Sequence, residues 1–496
     1  MMTTFIALNQ SNLPHLPESF VRPTYDRSKL KAGIVHIGVG GFHRSHEAYY
    51  TDELLANTQS TEWGICGVGL READRKIGDV LKQQDYLYTL IVKHPDGKIE
   101  NRVIGSIIDF MLASDDSSAV INKMANEETK IVSLTITEGG YHFNPVTNEF
   151  DFDHPDVQHD LANPTTPKMV FGYLTAALKK RRDEGLPAFT IQSCDNIQHN
   201  GDMTRRMLLA FARKQDPDLA TWIEEEVRFP NAMVDRITPV TTSADIAILK
   251  DAGVDDAWPV VCEPFHQWVI EDTFSNGRPE WEKVGAQFVP DVTPYETMKI
   301  RLLNAGHSVL GLLGSIHGHQ TIDGCIADPL FATYLRRFMD IEATPVLAPV
   351  EGIDLEDYKS TLITRFGNPN VKDNLARICL ESSAKLPTFL IPTIVENLKK
   401  GGSVKYAALV IAAWCYYSDK GTDKNGEALD IIDAMKAELH NAATGTANDK
   451  LSFLKLEDIF GELINSETFT TEYSRQLDAL YTKPDIAQLM GALIEE

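Results

Sequence analysis

The best indicator of the fold is the sequence GIVHIGVGGFH at residues 33–43. Its first five residues are typical of a short buried strand, and the glycines that follow permit a sharp turn into a helix predicted over residues 45–55. A strand, a glycine-rich turn and a helix in this order begin dinucleotide-binding folds, in which the backbone of the turn approaches a pyrophosphate. His43 stands where the third glycine of the usual fingerprint would be, so a plain tight turn is the alternative. The candidate cofactor-binding residues of this turn are Gly38, Val39, Gly40, Gly41 and Phe42.

A second strand is predicted over residues 64–70, and Asp74 follows it. An acidic residue after the second strand of such a fold binds the hydroxyls of the adenosine ribose. Asp74 therefore indicates NAD, although it lies farther from Gly38 than the usual spacing of about 20 residues. Arg71 and Arg75 flank it and could tolerate the 2′-phosphate of NADP, and the alternative for the whole cluster is a solvated helix start.

Further strands are predicted over residues 102–108, 130–137 and 188–193, with helices over residues 116–125 and 168–182. Strands that alternate with helices indicate a parallel sheet with helices on both faces. Short extended segments that complete this domain are predicted over residues 231–239 and 260–265.

Two polar residues follow neighbouring strands of the predicted sheet. Glu138 comes after the strand at residues 130–137, and Asn196 comes after the strand at residues 188–193. Ligands of such sheets bind beyond the carboxyl ends of the strands, so both residues are candidates for the cofactor site. Asn196 would reach the nicotinamide end, and its alternative is a turn-forming Asp-Asn pair.

The chain changes character after Pro290, where helical periodicity becomes almost continuous. The sequence therefore predicts an α/β fold class, with a Rossmann-type dinucleotide-binding domain at residues 1–290 followed by a mostly α-helical domain at residues 291–496. The predicted helices cover residues 294–317, 329–341, 355–366, 371–383, 390–400, 404–418, 427–440, 455–464, 467–481 and 485–494.

The first helix of this second domain carries an unusual set of polar residues. Thr293 and Glu296 have the spacing of a capping box, so the helix should begin here. Lys299, Asn304 and His307 follow, and at 100° per residue they span an arc of about 140°. A lysine can act as a base, an amide can donate to a developing oxyanion and an imidazole can orient a hydroxyl. The alternative is a surface lysine, a helix-breaking asparagine and a core histidine.

Two cations, Arg377 and Lys385, lie in a mostly apolar segment farther along the chain. They could bind a polyhydroxylated or anionic substrate. The alternative is that both side chains extend to solvent while their stems cover apolar surface.

The composition excludes several kinds of partner. The formal charge of −24 comes from 71 acidic and 47 basic residues and repels nucleic acid and anionic membranes. None of the six cysteines forms a C-x-x-C pair, and their apolar neighbours indicate buried thiols in a reducing compartment. The chain begins without a signal-peptide pattern, and the apolar run at residues 407–414 is too short to span a membrane. We therefore expect a cytoplasmic protein.

Together these motifs resemble those of the polyol-specific long-chain dehydrogenases, over nearly the whole chain. The most specific motif is K-x-x-x-x-N-x-x-H, formed by Lys299, Asn304 and His307. The others are GVGGFHR at residues 38–44, TEGGY at 137–141, SCDN at 193–196 and MVDRITP at 233–239.

The resemblance implies metal-independent, NAD-linked oxidation of a secondary alcohol, with D-mannitol and related polyols oxidised at C2 to a ketose, and the reverse reduction. It implies that Lys299 is the general base and that Asn196 and Asn304 form the oxyanion hole. His307 would bind and orient the substrate. Further substrate contacts are implied for Asp235, Arg377 and Lys385.

Glu296 lies one turn before Lys299 and could relay its proton to water, a role that is compatible with the capping one. Some relatives have two consecutive acids after the second strand, whereas this chain has Ala73 before Asp74. A single carboxylate repels a 2′-phosphate less, so we expect some tolerance of NADP. The resemblance also implies a monomer.

Three alternatives remain open. The chain could reduce a hexuronate, whose carboxylate would pair with Arg377 and Lys385. It could be a lyase or aldolase in which Lys299 forms a Schiff base. A non-catalytic NAD-binding sensor is disfavoured because the lysine, both amides and the histidine are all present.

Overall fold

A five-stranded sheet organises the first half of the chain in the computed structural model, which describes residues 5–144 and 149–496. The strands are β1 (Ile6–Ala7), β2 (Phe20–Val21), β3 (Ile34–Ile37), β4 (Ile65–Gly69), β5 (Tyr88–Lys93), β6 (Ile99–Ile104), β7 (Ile107–Leu112), β8 (Ile131–Leu134), β9 (Phe143–Asn144), β10 (Glu149–Phe150), β11 (Thr190–Ser193), β12 (Ala232–Asp235), β13 (Val254–Asp255), β14 (Val260–Cys262), β15 (Gln267–Glu271) and β16 (Gln287–Val289).

The α-helices begin after the first strand of this sheet and continue to the end of the chain. They are α1 (Gly41–Ser45), α2 (Glu47–Thr58), α3 (Arg75–Gln83), α4 (Ser117–Ala125), α5 (Pro155–Ala162), α6 (Val170–Glu184), α7 (Asn200–Gln215), α8 (Pro217–Glu226), α9 (Ser243–Asp251), α10 (Thr293–Lys299), α11 (Ala305–His317), α12 (Ile322–Ala327), α13 (Pro329–Phe338), α14 (Leu355–Phe366), α15 (Leu375–Cys379), α16 (Ser382–Phe389), α17 (Ile391–Lys400), α18 (Lys405–Lys420), α19 (Lys436–Thr444), α20 (Glu457–Phe460), α21 (Glu467–Thr482) and α22 (Ile486–Glu495).

The central sheet has the order β11-β8-β3-β4-β7, and every neighbouring pair in it is parallel. The chain starts in the middle at β3, adds β4 and β7 on one side, and then returns to add β8 and β11 on the other. The order therefore reverses between β3 and β8, which is where sheets of this kind bind their ligands. The Rossmann-type arrangement predicted from residues 33–43 is confirmed.

Helices cover both faces of this sheet, which explains why its strands are apolar throughout. Side chains alternate between the faces, so Val35 and Ile37 pack with α4, α6, α7 and α8, while Ile34 packs with α2 and α3. The glycine-rich turn and the loops that follow β8 and β11 thus extend from a rigid scaffold.

A second, four-stranded sheet with the order β14-β5-β6-β2 lies in the same half of the chain. The strand predicted over residues 102–108 is divided between the two sheets, because it ends at Ile104 in β6 and a new strand starts at Ile107 in β7. Between them the Gly105 N–H donates to the Asp52 carboxylate. The single helix predicted over residues 45–55 is also divided, into α1 and α2.

The chain separates into two compact units, Met1–Thr293 and Pro294–Glu496. The second unit is helical, as the periodicity predicted, and α11 and α18 are buried along almost their whole lengths. One predicted helix is largely wrong: of residues 427–440 only the part from Lys436 belongs to α19, because Thr422 and Ala428 pair across a short turn instead.

In the parts of the chain that the structure describes, no helix is both long enough and apolar enough to cross a membrane. All six cysteines are buried free thiols.

Candidate active site

The glycine-rich turn between β3 and α1 depends on one glycine in particular. Gly38 has a φ of +97°, and a Cβ at this position would lie 2.1 Å from the carbonyl oxygen of Thr135. The Thr135 hydroxyl donates to the carbonyl oxygen of Gly38 at 2.6 Å. The turn is therefore held tightly against the loop that follows β8, and it exposes backbone rather than side chains, as a pyrophosphate site requires.

A buried polar network supports this turn and accounts for the missing third glycine. The Glu47 carboxylate lies 3.0 Å from Nδ1 of His36 and 3.2 Å from Nδ1 of His43, and it accepts a hydrogen bond from Ser133 at 2.9 Å. The two imidazoles stack with their centroids 3.4 Å apart. Burial lowers the pKa of His43 to about 4, so this residue is neutral near pH 7. Burial alone would raise the pKa of Glu47, but hydrogen bonds from both histidines hold it well below its ordinary value.

Asp74 lies where the sequence placed it, next to the end of β4. A Cβ added to Gly69, the last residue of that strand, would lie 2.6 Å from the Cβ of Asp74. The Asp74 carboxylate accepts the backbone N–H of Arg71 at 3.0 Å. The chain reaches it through a short 3₁₀ turn, Glu72–Asp74. Most of the longer spacing from the glycines comes from the two helices α1 and α2 and the loop that precedes β4.

The two arginines that flank Asp74 differ in their surroundings. Arg75 is held by ion pairs with Glu72 and Asp115. The side chain of Arg71 is 81% exposed and has only a long contact of 3.5 Å with Asp74. Of the two, Arg71 is therefore the cation better placed to meet a 2′-phosphate.

The loops after β8 and β11 are joined by Asp195, which sequence reasoning treated only as part of a turn. Its carboxylate accepts the N–H groups of Ile136 at 3.1 Å and Thr137 at 2.8 Å and the hydroxyl of Tyr141 at 2.8 Å. Thr137 needs this support, because its φ of +59° is unfavourable for a residue with a side chain. Burial raises the pKa of Asp195. The neighbouring residues Glu138 and Asn196 are both exposed.

Asn200, which was not a candidate residue in the sequence analysis, connects the Asn196 loop to β12. Its amide nitrogen donates to the carbonyl oxygens of Asp195 and Ala232, and its amide oxygen accepts the N–H of Ala232. Asp235, the last residue of β12, is buried.

The residues after Asp235 connect β12 to the helix that follows the glycine turn. The Arg236 guanidinium donates to the carbonyl oxygens of Glu263 and Ser45, and the hydroxyls of Ser45 and Thr238 lie 2.7 Å apart. Hydrogen bonds thus link the glycine turn, the Asn196 loop and Asp235 within the first unit.

In the second unit, the helix that carries the K-x-x-x-x-N-x-x-H motif begins differently from the prediction. Thr293 is already helical, and its N–H donates to the Asp291 carboxylate at 2.8 Å. Hydrogen bonds from the Thr293 side chain and, to a smaller extent, from this N–H lower the pKa of Asp291. Glu296 is 3% exposed, so it is a buried acid rather than an exposed capping group.

The main difference from the predicted helix is a π-turn at Ile300–Asn304, between Lys299 and the following α11. Its wider winding is marked by the Ala305 N–H, which donates to the carbonyl oxygen of Ile300, five residues back. In an uninterrupted α-helix Asn304 would be rotated about 140° from Lys299. The π-turn brings it back toward the face of Lys299, so the arc calculated from the sequence is too wide.

The three motif residues are held in an apolar helix. Lys299 is 6% exposed and Asn304 is 8% exposed. Among the described residues, the buried amide oxygen of Asn304 accepts no hydrogen bond, and such a group normally requires a partner. The His307 ring stacks on Phe366 with the centroids 4.3 Å apart.

Arg377 and Lys385 lie on helices that belong to the same part of the second unit. Arg377, in α15, pairs with the buried Asp373 through two nitrogens of its guanidinium. Lys385, in α16, donates to the carbonyl oxygen of Ile378 at 3.1 Å. The helix α15 packs closely on α11 at Gly311, where an added Cβ would lie 2.9 Å from the Ile378 side chain.

Two groups of side chains among the described residues have the spacing of metal ligands, although the sequence predicted none. One is the His36, His43 and Glu47 network, and the other consists of His317, His319 and Asp328. The metal-free chemistry expected for the K-x-x-x-x-N-x-x-H motif stays a prediction.

Comparison with known proteins identifies relatives of both units. The family model of the mannitol dehydrogenase Rossmann domain matches residues 32–283, and that of the mannitol dehydrogenase C-terminal domain matches residues 291–481. The mannitol 2-dehydrogenase of Phaeosphaeria nodorum is 47% identical over 480 residues, which are 96% of this chain and 84% of that protein.

Solved structures are similar over the same length. The Pseudomonas fluorescens mannitol 2-dehydrogenase in a ternary complex with NAD and D-mannitol matches with a TM-score of 0.90 at 48% identity, over 99% of this chain and 100% of that one. A D-sorbitol dehydrogenase in substrate-free form matches with a TM-score of 0.89 at 37% identity, over 97% of this chain and 100% of that one.

Proposed function

This chain belongs to the mannitol dehydrogenase family, and on that premise we propose that it oxidises D-mannitol at C2 to D-fructose with NAD and catalyses the reverse reduction. The similarity to a mannitol 2-dehydrogenase solved with NAD and D-mannitol supports this choice. The observation that carries the proposal is the set of Lys299, Asn304 and His307 on one helix, of which the first two are buried and His307 is half-buried. We expect the active enzyme to be a monomer.

NAD is the cofactor in this proposal, and when bound it accepts the hydride from C2 of the alcohol. The residues present fit it, because a Cβ added at Gly40 or Gly41 would have no atom nearer than 3.8 Å or 3.7 Å, respectively, so the backbone of the turn is open to a pyrophosphate there. Asp74 would bind the adenosine ribose, and Glu138 would lie along the cofactor beyond β8.

Lys299 is the general base. Its side chain is buried, and in the neutral form its amine can take the proton of the C2 hydroxyl. Glu296, one turn earlier in the same helix and also buried, is the group that would relay the proton onward.

The amides of Asn196 and Asn304 stabilise the negative charge that develops on the C2 oxygen. One such donor typically contributes about 3–4 kcal/mol to lowering the barrier. His307 orients the reacting hydroxyl, and Asp235, Arg377 and Lys385 bind the remaining hydroxyls. With a base and two amide donors on the reacting oxygen, the reaction needs no metal ion.

The hexuronate alternative is disfavoured by the surroundings of Arg377. Its guanidinium is already paired with the buried Asp373, so much of its charge is neutralised before a substrate binds. A neutral polyol suits such a site better than a carboxylate. The Schiff-base alternative is disfavoured by the membership of the chain in a dehydrogenase family.

A substrate panel followed through NADH absorbance tests the proposal. D-mannitol, D-sorbitol and D-arabinitol are oxidised with NAD, and D-fructose and D-fructuronate are reduced with NADH. We expect D-mannitol and D-fructose to have the highest kcat/KM. Faster turnover of fructuronate would identify a hexuronate reductase, and a protein labelled by borohydride in the presence of a ketose would identify a Schiff-base enzyme.

A further inference from the structure

The π-turn at Ile300–Asn304 lies between the proposed base and one of the proposed oxyanion donors. We propose that this turn is part of the catalytic geometry and that Arg301, inside it, is the positioning residue that holds it. The inference rests on the proposed function, because it assigns a task to Arg301 through Asn304 and Lys299.

The reaction requires two groups of this helix to reach the same atom. The C2 hydroxyl gives its proton to the nitrogen Nζ of Lys299, while C2 gives a hydride to NAD and its bond to oxygen becomes a carbonyl. The amide of Asn304 must donate to that same oxygen as its charge develops. An uninterrupted α-helix rotates residues five apart by about 140°, which directs them to different sides. A π-turn removes much of that rotation, and single π-turns in α-helices are frequent at functional sites.

A π-turn forms poorer helical contacts than an α-helix, so it persists only where neighbouring groups hold it. Arg301 provides such contacts. Its side chain is buried, and its Nη1 atom donates to Oε2 of Glu396 at 2.8 Å and to the carbonyl oxygen of Val346 at 3.1 Å. Its Nη2 atom donates to Oε1 of the same carboxylate. This is the bidentate arrangement in which an arginine fixes both the position and the orientation of a carboxylate.

The partner of Arg301 is half-exposed, but it lies on a helix whose next residue, Asn397, is buried. Glu396 lies in α17, and its hydrogen bond with Arg301 is the main cause of its lowered pKa. The next residue, Asn397, donates to the carbonyl oxygen of Glu342 at 2.7 Å. Glu342 belongs to a second π-turn, Met339–Ala343, which packs against the first one.

That second π-turn is fixed in turn to a buried helix. The Glu342 carboxylate accepts the N–H groups of Tyr406 and Ala407 in the first turn of α18, both at 2.9 Å. Arg301 is thus connected, through Glu396, Asn397 and Glu342, to the buried helix α18 of the second unit. The position of Asn304 is set by this chain of contacts rather than by the intrinsic preference of its own helix.

The test uses two variants. Arg301→Lys keeps the positive charge but cannot form the bidentate contact, and Glu396→Gln keeps the shape of the side chain but loses its negative charge. We expect each variant to lower kcat for D-mannitol about 10- to 100-fold, as misplacement of a reacting group by about 1 Å does. The dissociation constant of NADH should stay within twofold of the wild-type value. The deuterium isotope effect with C2-deuterated mannitol should rise, because hydride transfer becomes slower than the other steps.

A double-mutant cycle separates positioning from a general structural role. If Arg301 acts through Asn304, adding Arg301→Lys to Asn304→Ala should lower kcat by less than twofold more, because the interaction that it supports is already gone. The matched control is Arg475→Lys, which alters a bidentate ion pair with Glu472 in α21 and should leave kcat unchanged.

Two results would overturn the inference while leaving the proposed function intact: a wild-type kcat in both Arg301→Lys and Glu396→Gln, or fully additive losses in the cycle. If Arg301→Lys fails to fold, Glu396→Gln decides by the same measurements. A wild-type kcat in Asn304→Ala alone would overturn both this inference and the oxyanion role in the proposed function.

Discussion

Lys299 is the side chain on which proton transfer depends in the proposed mechanism. Replacing it with alanine removes the base and leaves the sequence of the glycine turn, which belongs to the other unit, unchanged. We expect Lys299→Ala to lower kcat for D-mannitol oxidation to below about 1% of the wild-type value, since general-base catalysis contributes roughly 10²–10⁴-fold. NADH binding, measured by fluorescence titration, should be nearly unchanged.

The control for this variant is Lys283→Ala, which removes an exposed lysine from the first unit and should keep full activity. Retention of more than a few per cent of the wild-type rate in Lys299→Ala would contradict the assignment of the base. A parallel loss of NADH binding would indicate instead that the variant is misfolded.

Asp74 is the residue that should decide between NAD and NADP. Its carboxylate repels a 2′-phosphate, and the exposed guanidinium of Arg71 next to it is available to attract one. We expect Asp74→Ala to raise the ratio of kcat/KM for NADP to that for NAD by roughly tenfold, the effect of about 1 kcal/mol or more for one nearby charge. Initial rates with each cofactor at saturating D-mannitol measure the ratio.

Asp79→Asn, which neutralises an exposed acid in α3, is the matched control and should leave the cofactor ratio unchanged. An unchanged ratio in Asp74→Ala would mean that the ribose hydroxyls are not bound at this position. A rise of similar size in both variants would show a general effect of surface charge.

The positions of individual candidate residues could be predicted where they follow a recognisable strand, although their roles stay predictions. Asn196 and Asp74 are of this kind, because they follow strands of a recognisable sheet. Asp195 and Asn200 could not be predicted, because their role is to accept and donate hydrogen bonds between loops distant in sequence. His43 appeared to be a defect in the fingerprint, and only the stacking with His36 shows what it does.

Among the elements, those with a clear period were predictable and those that deviate from a period were not. The helices α11 and α18 were predicted because apolar residues recur along them. The π-turn at Ile300–Asn304 has no such signal, since on our proposal it depends on the contact of Arg301 with Glu396, which lies on another helix. The residues 427–435 were wrongly predicted as helix because side-chain periodicity there is outweighed by backbone pairing across a turn.

A buried acid of the π-turn Met339–Ala343, which accepts N–H groups from the first turn of α18, should titrate visibly in the stability of the enzyme. Burial raises the pKa of Glu342 to about 7 from an ordinary value of 4.5, although hydrogen bonds from Ala407 and Tyr406 favour the ionised form. Between these values the native state holds a proton that the unfolded state has released. The free energy of unfolding therefore falls as the pH rises through this window, by about 3 kcal/mol at most.

Glu342→Gln cannot titrate, so its free energy of unfolding should lack this part of the pH dependence. Urea unfolding at intervals from about pH 5 to pH 8 should show the variant gaining stability relative to wild type as the pH rises. Glu438→Gln, at an exposed glutamate in α19, should run parallel to wild type. Parallel curves for Glu342→Gln as well would mean that this carboxyl does not titrate in the window.

At the scale of the whole molecule, the fold class followed from the order of the elements along the chain. Strands and helices alternate in the first half and helices alone follow, which is enough to predict a parallel sheet and then a helical unit. The second sheet, β14-β5-β6-β2, was not predicted, because its outer strands β14 and β2 are far in sequence from the β5–β6 hairpin that they flank.

The net charge of the molecule leads to a prediction about association with its cofactor. A charge of −24 repels an anionic dinucleotide at long range, whereas D-mannitol is neutral and unaffected. Raising the ionic strength from about 10 mM to about 150 mM shortens the screening length from about 30 Å to about 8 Å. We expect kcat/KM for NADH in fructose reduction to rise a few-fold over this range.

The neutral substrate provides the control within the same enzyme. With NAD saturating, kcat/KM for D-mannitol should change little, because its encounter with the protein involves no net charge. A fall of kcat/KM for NADH with added salt would contradict the prediction, since it would mean that a local positive potential at the cofactor site outweighs the charge of the whole molecule. Sodium chloride and potassium chloride should act alike, because screening depends on ionic strength and not on the identity of the ion.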